Sequence, residues 1–171
     1  MTHDDLDHNL AHLRPTTPLP ATGELHLRVR YNECDPQGVA HHTSYPQWLE
    51  MARIEMLRGV DATGISYRDL EAAGLFLVVA RLELRYRASA RFDDSIVVLT
   101  RVTGGGRARL DHTYEVWRDD GPPRGRSQLL VEASTTLACI DRTGRPRPLP
   151  DWLRADAHAL PGSPAAPIEL A

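Results

Sequence analysis

The sequence predicts an α+β fold in which an antiparallel five-stranded sheet wraps around one long central helix. Three observations predict it. Apolar residues alternate with polar ones from Glu24 to Glu33, and apolar residues recur at helical spacing from Tyr45 to Met56. Four β-rich runs then follow one another closely, with no helical stretch between them. Parallel strands need long crossovers, which these runs leave no room for, so antiparallel pairing follows. A chain of 171 residues with 42% hydrophobic content is the size of one domain with a core. That domain is expected over residues 24–154. A disordered N-terminal arm, 1–23, is expected to precede it, and a Pro/Ala-rich C-terminal tail, 155–171, largely disordered, to follow it.

In the arm, Pro15, Pro18 and Pro20 interrupt any helix, and His3, His8 and His12 lie on a segment without the fixed geometry a metal site needs. From Glu24 onward Leu25, Leu27, Val29 and Tyr31 alternate with His26, Arg28, Arg30 and Asn32, the signature of a half-buried strand. The strand breaks at Asp35-Pro36-Gln37-Gly38. Pro36 pushes Asp35 away from helical dihedrals and Gly38 accepts the positive φ of a sharp reversal, so a carboxylate stands at a strand-to-helix corner. Ser44 and Gln47 have the spacing of an N-cap and its N3 partner, with Pro46 in the first turn. Tyr45, Trp48, Leu49, Ala52 and Met56 form the apolar stripe, widened by Met51, Ile54 and Leu57 to that of a helix buried on most sides; Gly59 is its stop signal.

A second, shorter helix is expected around Tyr67 to Ala73. Strands are expected at Leu75 to Arg87, Asp94 to Thr103, Arg107 to Arg118 and Gln128 to Asp141. Gly104-Gly105-Gly106 lacks the Lys-Ser/Thr and the following helix of a phosphate-binding loop and is expected to be a hairpin loop. Asp151 to Arg154 is a short element that packs Trp152 on the sheet.

Composition removes several function classes. A formal charge of −3 and a pI near 6.2 give no general attraction to nucleic acid or anionic membrane. All 20 basic residues are arginine, which excludes Schiff-base and lysine-base mechanisms. Cys34 and Cys139 are too few for a disulfide framework, the N-terminus lacks the basic and apolar regions of a signal peptide, and no apolar run approaches membrane-spanning length. The expected setting is cytoplasmic, with no nucleic acid and no membrane as partner.

The pattern D-P-x-G-x-x-x-H-x-x-Y followed by E-x-A-R stands here as Asp35, Pro36, Gly38, His42, Tyr45, Glu50, Ala52 and Arg53. It resembles the hot-dog-fold acyl-CoA thioesterases of the 4-hydroxybenzoyl-CoA thioesterase type, and most closely their Tol-Pal-associated branch, over roughly Leu25 to Leu153. The resemblance implies an acyl-CoA substrate, no cofactor and no metal. It also implies a homodimer or homotetramer (dimer of dimers) whose subunits join sheets edge to edge and share active sites. In similar enzymes the residue matching Asp35 attacks the thioester carbonyl or activates water, and both roles suit an ionised carboxylate. The amide of His42 matches the oxyanion donor, a task suited to a backbone N–H at a helix start. Gly38, His41 and Tyr45 match substrate-lining positions, and Glu50 is a second carboxylate to weigh against Asp35. Arg107 and Arg109 fall near where similar enzymes hold the coenzyme A phosphates, which arginine's forked donors suit; Arg85, Arg87 and Arg91 are further candidates.

Other readings accompany this one. A turn-forming role for Asp35, a metal cluster of Glu33, Asp35, His41 and His42, and Cys34 as a nucleophile are each chemically conceivable. The cluster matches no standard ligand spacing, and Cys34 has no evident base. At the level of function the rivals are a non-catalytic acyl-CoA-binding module and a dehydratase or isomerase on the same fold.

Overall fold

In a computed structural model, residues 13–15, 18–58, 65–157 and 168–169 are described. Strand β1 (Thr22–Arg28) leads through a 3-10 turn (Tyr31–Glu33) and the Asp35 corner to helix α1 (Ser44–Arg58). After α2 (Tyr67–Ala72) come β2 (Phe76–Tyr86), β3 (Ser95–Gly106), β4 (Arg109–Asp119) and β5 (Arg126–Ile140), then a two-residue strand β6 (Ile168–Glu169). The sheet order is β2-β5-β4-β3-β1-β6. Five strands pair antiparallel, and β6 adds a parallel bridge to β1 at Leu25 and His26. Among the described residues no helix is long and apolar enough to cross a membrane.

The core forms two groups along α1. Tyr45, Trp48, Leu49 and Ala52 pack on Leu25, Val29, Ile96, Val98, Tyr114, Val116, Leu130 and Val131, nearest the Asp35 corner. At the far end Leu57 joins Leu19, Leu70, Leu75, Leu110, Cys139, Leu149 and Leu153. The breadth of the buried surface of α1 matches the wide apolar stripe, but it also includes Arg53 and Glu55, 4% and 8% exposed, which an apolar pattern does not reveal. Each has an i,i+3 partner: Arg53 pairs with Glu50 and Glu55 with Arg58.

Several boundaries differ from the sequence expectation. The first strand ends at Arg28 rather than Glu33, because the chain turns into the 3-10 segment and leaves Tyr31 81% exposed. The arm is expected to end at residue 23, yet Leu19 is 1% exposed within the second core group, Ala21 accepts from the Val102 N–H, and Thr22 and Gly23 belong to β1. Ser44 does not cap α1; it lies in the first turn and its hydroxyl donates to the Glu33 carbonyl. The triple glycine is not a loop but the end of β3, paired with Asp111, Leu110 and Arg109, and the reversal is made at Arg107-Ala108. A Cβ on Gly105 would lie 2.4 Å from the Arg109 carbonyl oxygen, so that crossing needs glycine. In the tail, Ala155–Ala157 form a 3-10 turn and Ile168–Glu169 a strand, where disorder is the sequence expectation. Gly59, His3, His8, His12 and the rest of the tail lie outside the described residues.

Candidate active site

The Asp35 corner is a small ladder. Asp35 N–H donates to Val39 O at 2.9 Å and Gly38 N–H to Asp35 O at 2.9 Å, while Cys34 and Ala40 bridge antiparallel. Gly38 has φ +76°, the left-handed conformation the turn requires. The Asp35 carboxylate accepts from the Gln37 N–H through Oδ1 at 2.8 Å, a turn-stabilising bond. Oδ2 has no partner among the described residues, and the side chain is only partly buried. One oxygen fixes the carboxylate and the other is presented outward.

The other strand of this ladder runs on to the helix. Ala40 N–H donates to Ala90 O, Val39 bridges Arg91, and His41 N–H donates to Glu33 O at 2.8 Å. His42 then stands two residues before α1, and its N–H has no acceptor among the described residues. The Tyr86 hydroxyl donates to the His42 carbonyl at 3.1 Å, tying this peptide to the end of β2. The two imidazoles lie against each other with ring centroids 4.2 Å apart, and His41 Nδ1 meets Thr43 Oγ1 at 2.7 Å. The structure therefore brings Asp35, Gly38, His41 and His42 into one turn-and-ladder unit beside a helix N-terminus, where free N–H groups and the positive dipole end favour negative charge.

Tyr45 does not line this site. It is 2% exposed, its ring packs on Trp48 and Tyr86, and its hydroxyl accepts from the buried Ala90 N–H at 3.0 Å. Burial pushes its pKa up. Glu50 is open to solvent and bound to Arg53 Nη2 at 2.9 Å, with no contact to the corner. Arg107 and Arg109 lie at the far end of the sheet from the corner. The corner lies where β3 begins, since Ser95 pairs with Arg28, whereas Arg107 and Arg109 follow its last residue, Gly106. At about 3.3 Å per residue that strand runs roughly 36 Å. Arg109 is also paired with Asp111, and the Arg107 carbonyl accepts from Leu149 in the far core group. Arg91, exposed and bridged to Val39, stands at the corner. Burial and the neighbouring Glu33 and Asp35 carboxylates push the Cys34 thiol up, against a thiolate role.

Sequence reasoning named Glu33 only as a conceivable metal ligand and missed Tyr86 as part of the site. Glu33 carried a signal, its place two residues before Asp35; Tyr86 carried none, because its reach to His42 depends on how β2 docks.

Comparison with known proteins agrees with this architecture. Residues 29–156 match the Thioesterase-like superfamily. The acyl-CoA thioester hydrolase YbgC of Escherichia coli is 32% identical over 131 residues, covering 76% of this chain and 91% of that protein. An acyl-acyl carrier protein thioesterase of Arabidopsis thaliana chloroplasts, ATL2, is 25% identical over 143 residues, covering 84% and 72%. Among solved structures, a DHNA-CoA thioesterase from Staphylococcus aureus superposes with a TM-score of 0.69 at 30% identity, covering 79% of this chain and 88% of its own. The chain belongs to the thioesterase-like superfamily and is a thioesterase with the hot-dog fold.

Proposed function

We propose that the protein hydrolyses acyl-CoA thioesters to free acid and coenzyme A, with Asp35 as nucleophile or general base and the His42 N–H as oxyanion donor. The observation that carries this is the corner itself: a carboxylate with one oxygen tied and one outward, joined by a short ladder to an amide without an acceptor at a helix start. Such a donor needs no reorganisation when charge develops on the thioester oxygen. The thiolate leaves as coenzyme A, and water supplies the oxygen of the acid. The 32% identity to YbgC supports the Tol-Pal-associated branch, and the coenzyme A relatives favour a CoA thioester over a carrier-protein one. Two free thiols, Cys34 and Cys139, suit a reducing cytoplasmic setting.

The working form in this reading is a homodimer, or a dimer of such dimers, joined through β2. That strand pairs with β5 on one side only, and Val78, Val79, Leu82 and Tyr86 on it are 38–48% exposed. An unpaired edge with exposed apolar residues is stabilised by a second copy of itself. Tyr86 ends this strand beside His42, so the partner's edge would lie next to the site.

The test is release of free thiol from a panel of acyl-CoAs, with a carrier-protein thioester as a second arm. Asp35→Asn should fold and lose about 10²- to 10⁴-fold in kcat, the range of a positioned acid–base group. Turnover by Asp35→Asn at the wild-type rate would remove Asp35 from the chemistry. Binding of acyl-CoA without turnover by the wild type would favour the non-catalytic module.

A further inference from the structure

One residue outside the motif holds both halves of the site. Glu33 accepts four hydrogen bonds. Its carboxylate accepts from the indole N–H of Trp48 through Oε1 at 2.9 Å and from the Arg30 N–H through Oε2 at 2.7 Å. Its carbonyl accepts from the His41 N–H at 2.8 Å and from the Ser44 hydroxyl at 2.9 Å. Trp48 is fully buried on α1, so the side-chain bonds anchor the 3-10 turn to the core. The carbonyl bonds fix the peptide just before His42 and the first turn of α1.

We propose that Glu33 is a positioning residue, holding the Asp35 carboxylate in register with the His42 amide; the inference rests on the thioesterase reading above. Asp35 follows Glu33 by two residues, and His42 follows His41 directly. The ladder between them is short, made of the Cys34–Ala40 bridge and the Asp35–Val39 and Gly38–Asp35 bonds. Such a short ladder on a partly exposed turn does not hold an angle alone. A charge-assisted bond to a buried indole does, because both ends are ordered and the ionised acceptor strengthens it. Breaking it leaves the Trp48 N–H buried without a partner and frees the turn to shift relative to α1. A shift of about 1 Å between attacking group and oxyanion donor costs on the order of 10²-fold in rate.

The experiment compares Glu33→Gln, Trp48→Phe and the double variant in thiol-release kinetics, with Asp35→Asn alongside. Glu33→Gln removes the charge near Asp35 and one of the two acceptor oxygens, so the bonds to the Trp48 indole and the Arg30 N–H are no longer both available and neither is charge-assisted. Trp48→Phe removes the donor and some ring volume but no charge, so agreement between them assigns the loss to geometry rather than charge. Each single variant should lose about 10- to 100-fold in kcat, the scale of a sub-ångström to 1 Å misplacement. KM should stay within about twofold, the pattern of an interaction expressed only in the transition state. The double variant should be no slower than about threefold below either single, since both act on the same link. The Trp48 indole N–H resonance should move in Glu33→Gln, and near-ultraviolet circular dichroism should show both singles folded at the assay temperature. If Glu33→Gln fails to fold, Trp48→Phe alone carries the kcat test. Wild-type kcat in Trp48→Phe, or multiplicative losses in the double, overturns the proposal while an inactive Asp35→Asn leaves the thioesterase reading standing. A wild type that hydrolyses no thioester overturns both.

Discussion

Replacing Tyr45 by phenylalanine separates the two roles that the sequence suggests for it, substrate contact and core. The hydroxyl is buried and accepts from the Ala90 N–H, and the Ala90 carbonyl in turn accepts from the Ala40 N–H, so one oxygen links α1, the segment before β3 and the Asp35 ladder. Phenylalanine keeps the ring against Trp48 and Tyr86, which lie 4.7 and 5.4 Å away between centroids. What is lost is the acceptor, leaving an N–H on a residue that is 0% exposed without a partner. That costs about 1–3 kcal/mol. For a domain of this size each kcal/mol moves Tm by roughly 3–4 °C, so calorimetry should show a fall of about 3–12 °C. Thiol-release kinetics on folded protein should show KM for acyl-CoA within about twofold of wild type, as expected of a residue that adds no uniform substrate binding. A Tm unchanged within error together with a raised KM would refute this reasoning and return Tyr45 to the substrate.

Leu19→Ala, or deletion through residue 20, should destabilise by about 2–5 kcal/mol in denaturant unfolding, because Leu19 is fully buried among leucines, whereas deletion of residues 1–12 should not. Arg91→Ala should raise KM for acyl-CoA about fivefold, roughly 1 kcal/mol, with kcat unchanged and the effect fading at high salt. Arg107→Ala with Arg109→Ala should leave KM alone unless another subunit supplies them, which a monomerising Leu82→Arg variant would reveal. Burial raises the Tyr45, Tyr86 and Tyr114 hydroxyls and takes Tyr67 to about 12; since raised groups stabilise below their ordinary value of 10.0 and lose this on ionising, stability should fall between pH 10 and about 12 in alkaline titrations followed by circular dichroism. Asp141 runs the other way. Thr143, Arg145 and Arg147 hold its carboxyl below the ordinary 3.8, so its contribution is present above that pH and declines as the pH drops beneath it, an acid limb that Asp141→Asn should remove.

The long helix, the antiparallel strands and the Asp35 turn were legible because each is encoded locally, by a 3.6-residue stripe, by alternation, and by Pro36 and Gly38 at fixed offsets. What failed needed information that no local pattern holds. Alternation through Tyr31 suggests a longer strand, but Glu33 folds back onto the Arg30 N–H and turns the chain. A serine before a helix suggests a cap, but the Glu33 carbonyl was a competing acceptor from eleven residues away. Three glycines suggest a loop, but Gly105 is needed for a close crossing with Arg109 inside the hairpin. The arginines after them fall near where similar enzymes hold the coenzyme A phosphates, and they lie at the far end of a strand from the corner.

The motif itself divides along the same line. Asp35, Pro36, Gly38 and His42 build the corner and bring a carboxylate to an amide. Tyr45, Ala52 and Arg53 bury the helix that the corner leans on, at 2%, 4% and 4% exposure. Arg53 is the costliest of these to bury, and it is held by Glu50 on one side while its charge lies beside the Tyr67 and Tyr114 hydroxyls, which burial otherwise pushes up. The positive charge of Arg53 on α1 thus lies close to tyrosines of α2 and β4. An E-x-A-R segment in this fold is explained by that requirement: Ala52 lets the helix approach the sheet, Arg53 reaches across to tyrosines, and Glu50 at i−3 neutralises it at the surface. Glu50 thus has a structural partner in Arg53, whereas Asp35 keeps one oxygen without a partner among the described residues.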